Sequence, residues 1–424
     1  MHVENQRQLE VLFLYTHPRP TPDTIIDHIN ALTSSSKHEV KKLNIIKELP
    51  HGLDLNRFDV IVIHYTLAIC LDNHLNKNAV KSLQAAVPLK VVFIQDEYRH
   101  VNATVQAMCD LDIGIIFTCV PALEIEKVYP EEKLPGVRKV NVLTGYVNTR
   151  VLKLKEPSPL QDRPVDVGYR SRRLPAWLGE LGQEKWRIGE RFLTDANGYS
   201  LCCDISNREE DRIYGAEWDQ FLNSCRAVLG VESGSSVFDF TGEIQRRVEA
   251  EERSRPEATF EELRDEHFSD LEGRIRLNQI SPRCFEAAAR GTLMILYEGE
   301  YSGRLKPWQH YVPLKKDHSN MEEVVSLLCD DEKAQAIADR ALSEVARAPE
   351  NSYGAFSSLV DRILEEEVGK RPQRSFCVYD QQSFARASAR SWKSRLVFFK
   401  RYIGWRFPLL RKCWRMVVDG LGMS

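Results

Sequence analysis

The chain has 424 residues, of which 43% are hydrophobic and 28% are charged, so it is long enough for two domains and has a globular composition. Its ten cysteines are scattered, without a Cys-x-x-Cys motif, which argues against a disulfide framework and favours reduced thiols in a cytoplasmic protein. The N-terminus lacks the pattern of a signal peptide, and no apolar run approaches the ~20 residues of a membrane-spanning helix.

The formal net charge of −3 is unevenly distributed along the chain. Residues 370–424 contain 13 Lys or Arg and two acids, whereas the remaining residues contain 45 bases and 59 acids. A basic tail on an acidic body indicates a charged partner for the tail.

Residues 1–150 alternate between strand-like and helix-like segments. Apolar, β-branched runs predict strands, and these lie at 9–17, 38–45, 58–66, 89–98, 113–120 and 137–146. A helix is predicted over 21–32, with Thr21 as its cap and Pro22 at its first position. Because the strand-like runs are continuous rather than alternating, we expect a parallel, doubly wound sheet covered on both faces.

A second series of the same kind follows a polar linker at 151–164 that contains three prolines. Strand-like and helix-like segments alternate again over 165–365, which predicts a second doubly wound domain. Residues 244–273 interrupt this domain and are almost all charged or polar, so they predict a solvated helical insertion.

Several nucleotide and catalytic motifs are missing from the sequence. The loop after the first strand, "YTHPRPTPDT", has no glycine, and neither a P-loop, a G-x-S-x-G motif nor a His-Glu-x-x-His motif occurs. These absences argue against a dehydrogenase, an ATPase, an α/β-hydrolase and a zinc protease.

The segment "SPRCFEAAARGTLMILYEGEYSGRLKPWQHYVPLKKDHSNMEEVV" combines an alanine-rich helix, an apolar strand, a glycine-bearing turn and a His-Tyr-Val-Pro stretch. In this order it resembles the C-terminal half of GT-B fold glycosyltransferases, in particular the bacterial group related to spore-coat maturation glycosyltransferases. The resemblance extends over most of 9–365. It implies two Rossmann-like domains that face a cleft, with the acceptor on the N-terminal one and the donor on the C-terminal one.

The resemblance also implies a function. We expect a metal-independent enzyme that transfers a sugar from a nucleotide-sugar to a hydroxyl acceptor, in surface polysaccharide or glycoconjugate synthesis, with no cofactor besides the donor. The alternatives are a GT-B epimerase or phosphorylase, and a catalytically degenerate sugar-binding or scaffold protein.

The resemblance assigns the donor site to particular residues. Glu286, at the alanine-rich helix, would accept hydrogen bonds from the ribose hydroxyls, since a carboxylate can accept from two neighbouring hydroxyls at once. Arg170, Arg172 and Lys185 would neutralise the diphosphate, on which charge develops as it leaves. The position at which the family has a further glutamate is Asn278, which leaves the stereochemical course open. The alternative for Glu286 is a favourable contact with the helix dipole.

Further donor contacts are predicted after the strand in "AVLGVESGSS". Glu232, Ser233 and Gly234 follow its carboxyl end, where ligands of open α/β sheets bind, although a simple tight turn explains the same residues. His310 borders the donor site by resemblance.

The predicted catalytic residues lie at strand ends of the N-terminal half. Asp96 and Glu97 directly follow one buried strand, and His64 follows another. If the enzyme inverts, one of them would deprotonate the acceptor hydroxyl. The alternative for each is a loop residue with an ordinary hydrogen bond.

The tail, 370–424, mixes Lys and Arg with Trp, Phe and Tyr, a composition typical of segments that bind an anionic membrane surface. It therefore predicts a peripheral protein at the cytoplasmic membrane face with a glycan or lipid-linked acceptor. The acidic body argues against nucleic acid as a partner. The alternative is that the tail packs back on the N-terminal domain.

Overall fold

The computed structural model describes residues 7–17, 23–153 and 157–389, which contain two parallel sheets. The first sheet has the order β2-β1-β3-β4-β5-β6, and all of its neighbouring strands pair in parallel. Its strands are β1 (Glu10–Tyr15), β2 (Glu39–Asn44), β3 (Val60–Ile63), β4 (Leu89–Ile94), β5 (Ile113–Thr118) and β6 (Arg138–Asn141). The helices of this half are α1 (Asp23–Ser34), α2 (Lys77–Ala85), α3 (Val101–Asp110), α4 (Ile125–Val128) and α5 (Thr149–Leu152).

Both faces of the first sheet are buried, as the continuous apolar runs predict. All four residues of β3 are buried, and they alternate between two cores. Ile61 and Ile63 pack in the core that contains residues of α2 and α3, whereas Val60 and Val62 pack in the core that contains residues of α1. A strand with both faces covered has no need of polar residues, which explains its composition.

The second sheet has the order β13-β12-β9-β7-β8 and is again parallel throughout. Its strands are β7 (Val165–Arg170), β8 (Cys203–Ser206), β9 (Cys225–Gly230), β12 (Leu293–Tyr297) and β13 (Val312–Leu314). A separate antiparallel pair consists of β10 (Ser233–Ser235) and β11 (Leu277–Gln279). The predicted α/β fold with two doubly wound sheets is therefore confirmed.

The remaining helices lie on the second sheet, in the charged insertion, and in the segments that return to the first domain. They are α6 (Glu180–Ala196), α7 (Ala216–Ser224), α8 (Glu243–Ser254), α9 (Phe260–His267), α10 (Pro282–Ala289), α11 (Met321–Leu328), α12 (Asp331–Ala341), α13 (Tyr353–Gly369) and α14 (Gln381–Ala387). Residues of α7 and α10 share a core with one face of the sheet, and residues of α6, α11 and α12 share a core with the other.

The charged stretch 244–273 forms most of α8 and all of α9, with a capping box at Thr259. These helices also have an apolar side. Val248 and Phe260 are buried in a small core together with Trp177. The insertion is thus attached to the second domain through a few large side chains, while its charged residues face outward.

Helix α13 crosses back to the first domain. Its Phe356 and Val360 lie in the same core as Phe13 of β1, so the predicted second domain, 165–365, ends in residues that pack on the first sheet. The two chain crossings between the domains are adjacent, since the backbone N–H of Val147 donates to the Asn351 carbonyl at 2.7 Å.

The described part of the tail also packs on the first domain. Tyr379 and Phe384 contact Phe58, and the Arg57 guanidinium lies 3.7 Å from the centre of the Tyr379 ring. Up to residue 389, the tail therefore packs back on the N-terminal domain, which is the alternative to membrane binding. Most of the basic, aromatic stretch lies in 390–424, outside the described residues. In the described ranges no helix is both long and apolar enough to span a bilayer.

Candidate active site

Two adjoining cavities open where the carboxyl ends of both sheets meet. The smaller, of about 290 Å³, lies at the ends of β7 and β9 in the second domain. The larger, of about 540 Å³, lies between α1 and residues 146–151 of the first domain on one side and α7 and α10 of the second on the other. The residues that line both are Arg212, Ile213, Tyr214, Trp218, Leu222, Ser281 and Arg283. A ligand with two chemically distinct ends can therefore extend from one cavity into the other.

Five cations line the smaller cavity. Arg170 and Arg212 are ion-paired, with Asp204 and Glu209. The other three are Arg172 after β7, Lys185 on α6 and Arg283 on α10. Among the described residues, none of the three has an acidic partner within salt-bridge distance. Burial lowers the pKa of Lys185 to about 8, and the charges of Arg283 and Arg172 lower it further, against the charge of Asp96. Unpaired cations that repel one another leave this cavity suited to a multiply charged anion.

Arg170 lines the same cavity, but its charge is already paired. Its guanidinium forms a 2.8 Å ion pair with Asp204 of the neighbouring strand β8 and lies 4.5 Å from the centre of the Phe221 ring. This arrangement favours a structural role for Arg170, whereas Arg172 and Lys185 remain available to a ligand.

Glu286 projects from α10 into the larger cavity. Its Oε2 accepts a 2.7 Å hydrogen bond from the Trp218 indole, and burial raises the pKa of the carboxyl, partly offset by this bond and by the charge of Arg283. The Arg283 guanidinium in turn lies 5.1 Å from the centre of the Trp218 ring. Glu286 therefore has one oxygen fixed by the protein, and its Oε1 accepts no hydrogen bond from the described side chains.

The sequence around α10 explains this placement. Ser281 caps the helix through a hydrogen bond from the Arg283 backbone N–H, and Pro282 occupies the first turn. The alanines 287–289 are buried, so the helix lies close to the sheet. The helix ends at Ala289, and two residues later the chain turns at Gly291, whose φ of +54° favours glycine.

The residues after β9 divide between a structural and a ligand-facing role. The Glu232 carboxylate accepts hydrogen bonds from the backbone N–H of Tyr301 at 2.7 Å and from the Asn278 amide at 3.2 Å. Gly234 is the middle residue of strand β10, where it pairs with Asn278 of β11 and has a φ of +132°. Ser233 lines the smaller cavity.

His310 lies away from both cavities. It is buried, its Nδ1 accepts a hydrogen bond from the Lys306 backbone N–H at 3.2 Å, and its Nε2 lies 3.0 Å from Glu344. This geometry gives it a role in the conformation of the loop before β13, and it lines neither cavity.

Two of the three predicted catalytic residues are buried behind the cleft. His64 lies 3.0 Å from His28, and burial keeps its pKa well below the usual value. Glu97 accepts hydrogen bonds from Thr118, the Cys119 backbone and Tyr129 at 2.5–2.8 Å, and burial raises its pKa to about 7. Neither residue lines either cavity, so the structure does not support them as bases.

Asp96 is exposed at the end of β4, with a positive φ of 56°. It accepts a 2.9 Å hydrogen bond from Tyr98, and its charge raises the pKa of Lys185. It thus approaches the cationic cavity from the first domain without forming an ion pair there.

Sequence reasoning missed several residues that line the larger cavity: Asp27, Asn148, Arg150, Trp218 and Arg283. Arg283 stands within the stretch that carries the family resemblance, two residues after the helix cap. The others lie on elements that only the folded chain brings together. In the described ranges, no three His, Cys, Asp or Glu side chains are arranged to hold a metal ion.

No protein-family model and no curated protein matches the sequence. Among solved structures, an alpha-glucosyltransferase in complex with UDP-glucose and DNA containing an abasic site superimposes with a TM-score of 0.52 at 10% identity, over 85% of this chain and 100% of that one. The same scores hold for an alpha-glucosyltransferase complex with UDP and a 13-mer DNA, with 99% of that chain covered. Anabaena HepE in complex with UDP superimposes with a TM-score of 0.47 at 11% identity, over 84% of this chain and 100% of that one.

The chain therefore has the GT-B fold of glycosyltransferases, with two doubly wound domains that face a cleft. Identity this low supports the fold alone. The finer resemblance, to the spore-coat maturation group, stays a prediction.

Proposed function

We propose that this protein is a glycosyltransferase that transfers a sugar from a nucleoside-diphosphate donor to a hydroxyl acceptor in the interdomain cleft. The observation that carries the proposal is the convergence of Lys185, Arg172 and Arg283 on one cavity without an acidic partner among the described residues. Keeping three cations together costs free energy unless an anion meets them, and a diphosphate supplies that charge.

The donor would extend across both cavities. Its diphosphate would lie against the three cations and beside the N-terminal end of α10, where free backbone N–H groups favour an anion. Its ribose would lie at Glu286, whose Oε1 can accept from the hydroxyls while Trp218 holds Oε2. Arg283 lines both cavities and joins the two parts of the site.

These residues would act mainly on the leaving group. As the bond between the anomeric carbon and the phosphate oxygen breaks, negative charge develops on the diphosphate, and the three cations stabilise it. Because these side chains supply positive charge at that position, we also propose that transfer proceeds without added metal. Equal transfer rates with and without EDTA are the expected result.

Thermal shift with UDP-, GDP-, ADP-, CMP- and dTDP-linked compounds tests the proposed donor. One nucleotide class should raise the melting temperature, because a ligand that binds only the folded state stabilises it. The Lys185→Met variant should require more ligand for the same shift. If no nucleotide stabilises the wild-type chain, the proposed function is wrong.

We further propose that the acceptor belongs to a surface polysaccharide or glycoconjugate, and that residues 390–424 bring the enzyme to an anionic membrane. The support is the density of Lys, Arg and aromatic residues in this stretch. Co-sedimentation with vesicles that contain phosphatidylserine should pellet the full chain but leave a chain ending at residue 389 in solution. Equal pelleting of the two would contradict the membrane proposal.

A further inference from the structure

The larger cavity has room for the base of the proposed donor. In that proposal the diphosphate lies in the smaller cavity, and the ribose lies at Glu286, which lines the larger one. In a nucleoside diphosphate the base and the diphosphate are attached on opposite sides of the ribose ring. The base therefore extends from Glu286 away from the cations and further into the larger cavity, whose other wall belongs to the first domain.

Asp27 of α1 lines this first-domain wall and is half-buried. Burial raises its pKa, against a side-chain hydrogen bond from Asn148 and the charge of Arg150, while the charge of Asp23 acts with burial. On the opposite wall, burial raises the pKa of Glu286, and the charge of Asp27 adds to this effect. A base attached to a ribose at Glu286 therefore extends towards the Asp27 carboxylate.

Hydrogen-bond donors lie beside this carboxylate. The Asn148 Oδ1 atom accepts a 2.9 Å hydrogen bond from the Arg150 backbone N–H, so the amide N–H groups of Asn148 are the end that faces Asp27. The Arg150 side chain lines the same wall, and among the described residues it has no acid at salt-bridge distance. The wall thus combines one carboxylate acceptor with amide and guanidinium donors.

This combination is complementary to one edge of guanine. That edge has two neighbouring donors, the ring N–H and the exocyclic amino group, and a carbonyl oxygen next to them. A carboxylate can accept from both donors at once, and each of its oxygens can accept a second bond, so the bond from Asn148 does not prevent this. Adenine, cytosine, uracil and thymine lack two neighbouring nitrogen donors, so each would leave part of the Asp27 carboxylate without a partner.

An exposed aromatic ring lies at the boundary of the two cavities. Tyr214 lines both of them and is 43% exposed. The next residue, Gly215, is close to the first domain, since a Cβ atom there would lie 3.7 Å from the Asp23 carboxylate. An exposed ring where the two domains approach each other suits stacking on a flat base.

The other acids of the larger cavity are less suited to hold a base. Asp219 is ion-paired with Arg290, and Glu286 has one oxygen held by the protein and the other assigned to the ribose. Asp23 is exposed at the first residue of α1. Among the described residues of the cavity, Asp27 is therefore the half-buried acid that remains available to the base.

Building on the proposed function, we propose that the donor is a guanosine-diphosphate sugar and that Asp27 selects the guanine. The Asp27 carboxylate accepts from the ring N–H and the amino group, and the Asn148 amide donates to the carbonyl oxygen. The second domain then holds the diphosphate and the ribose, which all nucleotide-sugars share. The first domain reads the base, and this contact distinguishes one nucleotide from another.

The test is calorimetric titration of the full chain with GDP, inosine diphosphate, UDP, ADP and CDP. GDP should bind about tenfold or more tightly than UDP, ADP and CDP, because their bases leave the Asp27 carboxylate partly unpaired. Inosine diphosphate lacks only the exocyclic amino group, so it should bind about tenfold more weakly than GDP through the loss of one hydrogen bond to a charged group.

Asp27→Asn replaces one carboxylate oxygen by an amino group. This variant should bind GDP about tenfold or more weakly and should gain affinity for xanthosine diphosphate, whose base has a carbonyl oxygen in place of the amino group of guanine. Misfolding of the variant cannot produce such a gain. Asp110→Asn, on the exposed surface of α3, is the matched control and should bind both nucleotides like the wild type.

Tighter binding of UDP, ADP or CDP than of GDP to the wild type would overturn this proposal and leave the proposed donor-binding function intact. Unchanged affinities of Asp27→Asn for GDP and xanthosine diphosphate would also overturn it. Failure of every nucleotide to bind would instead refute the proposed function itself.

Discussion

The Trp218 indole donates a 2.7 Å hydrogen bond to Oε2 of Glu286, and this contact joins α7 to α10 inside the cleft. The bond fixes the orientation of the carboxylate before any ligand arrives. It also lowers the pKa of Glu286 against the effect of burial. A carboxylate oriented in this way is ready to accept hydrogen bonds, which reduces the cost of ordering it on binding.

Trp218→Phe should weaken nucleotide binding. The substitution keeps a ring beside Phe221 but removes the N–H, so Glu286 loses both its orientation and a bond that favours its charged form. We expect a loss of about 1–2 kcal/mol in binding free energy, measured by calorimetric titration with the nucleoside diphosphate. Trp308→Phe, at a half-exposed residue of the loop before β13, is the control. Equal affinities for the two variants would remove Trp218 from the donor site.

Nucleotide binding should weaken as the pH rises through the pKa of Lys185, which is about 8. Below this pH the ammonium is charged and attracts the diphosphate; above it the neutral amine does not, and binding must take up a proton. Lys185→Arg keeps its charge over the whole range, so its affinity should vary less between pH 7 and pH 9. Identical pH profiles for wild type and Lys185→Arg would contradict this role.

The buried pair of His28 and His64 should make the protein sensitive to mild acid. Burial lowers the pKa of His28 to about 3, and that of His64 also lies well below its usual value. Between about pH 6.5 and pH 3 the unfolded chain therefore binds more protons than the folded one, and the free energy of unfolding falls as the pH falls.

For His28 alone, the expected loss between pH 7 and pH 5 is about 2 kcal/mol, measured by urea unfolding at each pH. His28→Asn offers an amide near the position of the Nδ1 atom that contacts His64, and it does not titrate. Its stability should depend less steeply on pH. If the free energy of unfolding of this variant falls with pH as steeply as that of the wild type, protonation of His28 is not the cause of the acid sensitivity.

Gly234→Ala should be strongly destabilising. A Cβ atom at this position would lie 1.6 Å from the Leu277 carbonyl oxygen, and the φ of +132° is unfavourable for any residue except glycine. We expect a loss of about 3 kcal/mol or more in thermal or urea unfolding. Gly369→Ala, which has open space around it in α13, should be close to neutral. Similar stabilities for both variants would contradict the close contact between the backbones of β10 and β11 at Gly234.

The fold could be predicted from the sequence because a strand that is buried on both faces consists almost entirely of apolar residues. Runs such as 60–63 are uninterrupted by polar residues for that reason. Reliance on apolar patterns also explains why α13 was assigned to the second domain. Its apolar pattern predicts a helix, but it does not indicate which sheet covers that helix, and Phe356 packs on the first.

The site could be predicted only in part. The sequence shows which residues follow a strand, but it does not show the direction in which their side chains point. Asp96 points outward, whereas the next residue, Glu97, turns into the core to accept from Thr118 and Tyr129. Arg170 was expected to be available to a ligand, but it is paired with Asp204 on β8, and that pairing depends on the strand order.

The most direct test of the central claim is calorimetric titration of the stabilising nucleotide-sugar into the wild type, Lys185→Met, Arg172→Ala and the double variant. If the diphosphate lies against these cations, each single variant should bind about tenfold more weakly, and the double variant should lose most of its binding. Arg173→Ala, whose side chain pairs with Glu190, is the control and should bind like the wild type. Undiminished affinity in the double variant would contradict the account.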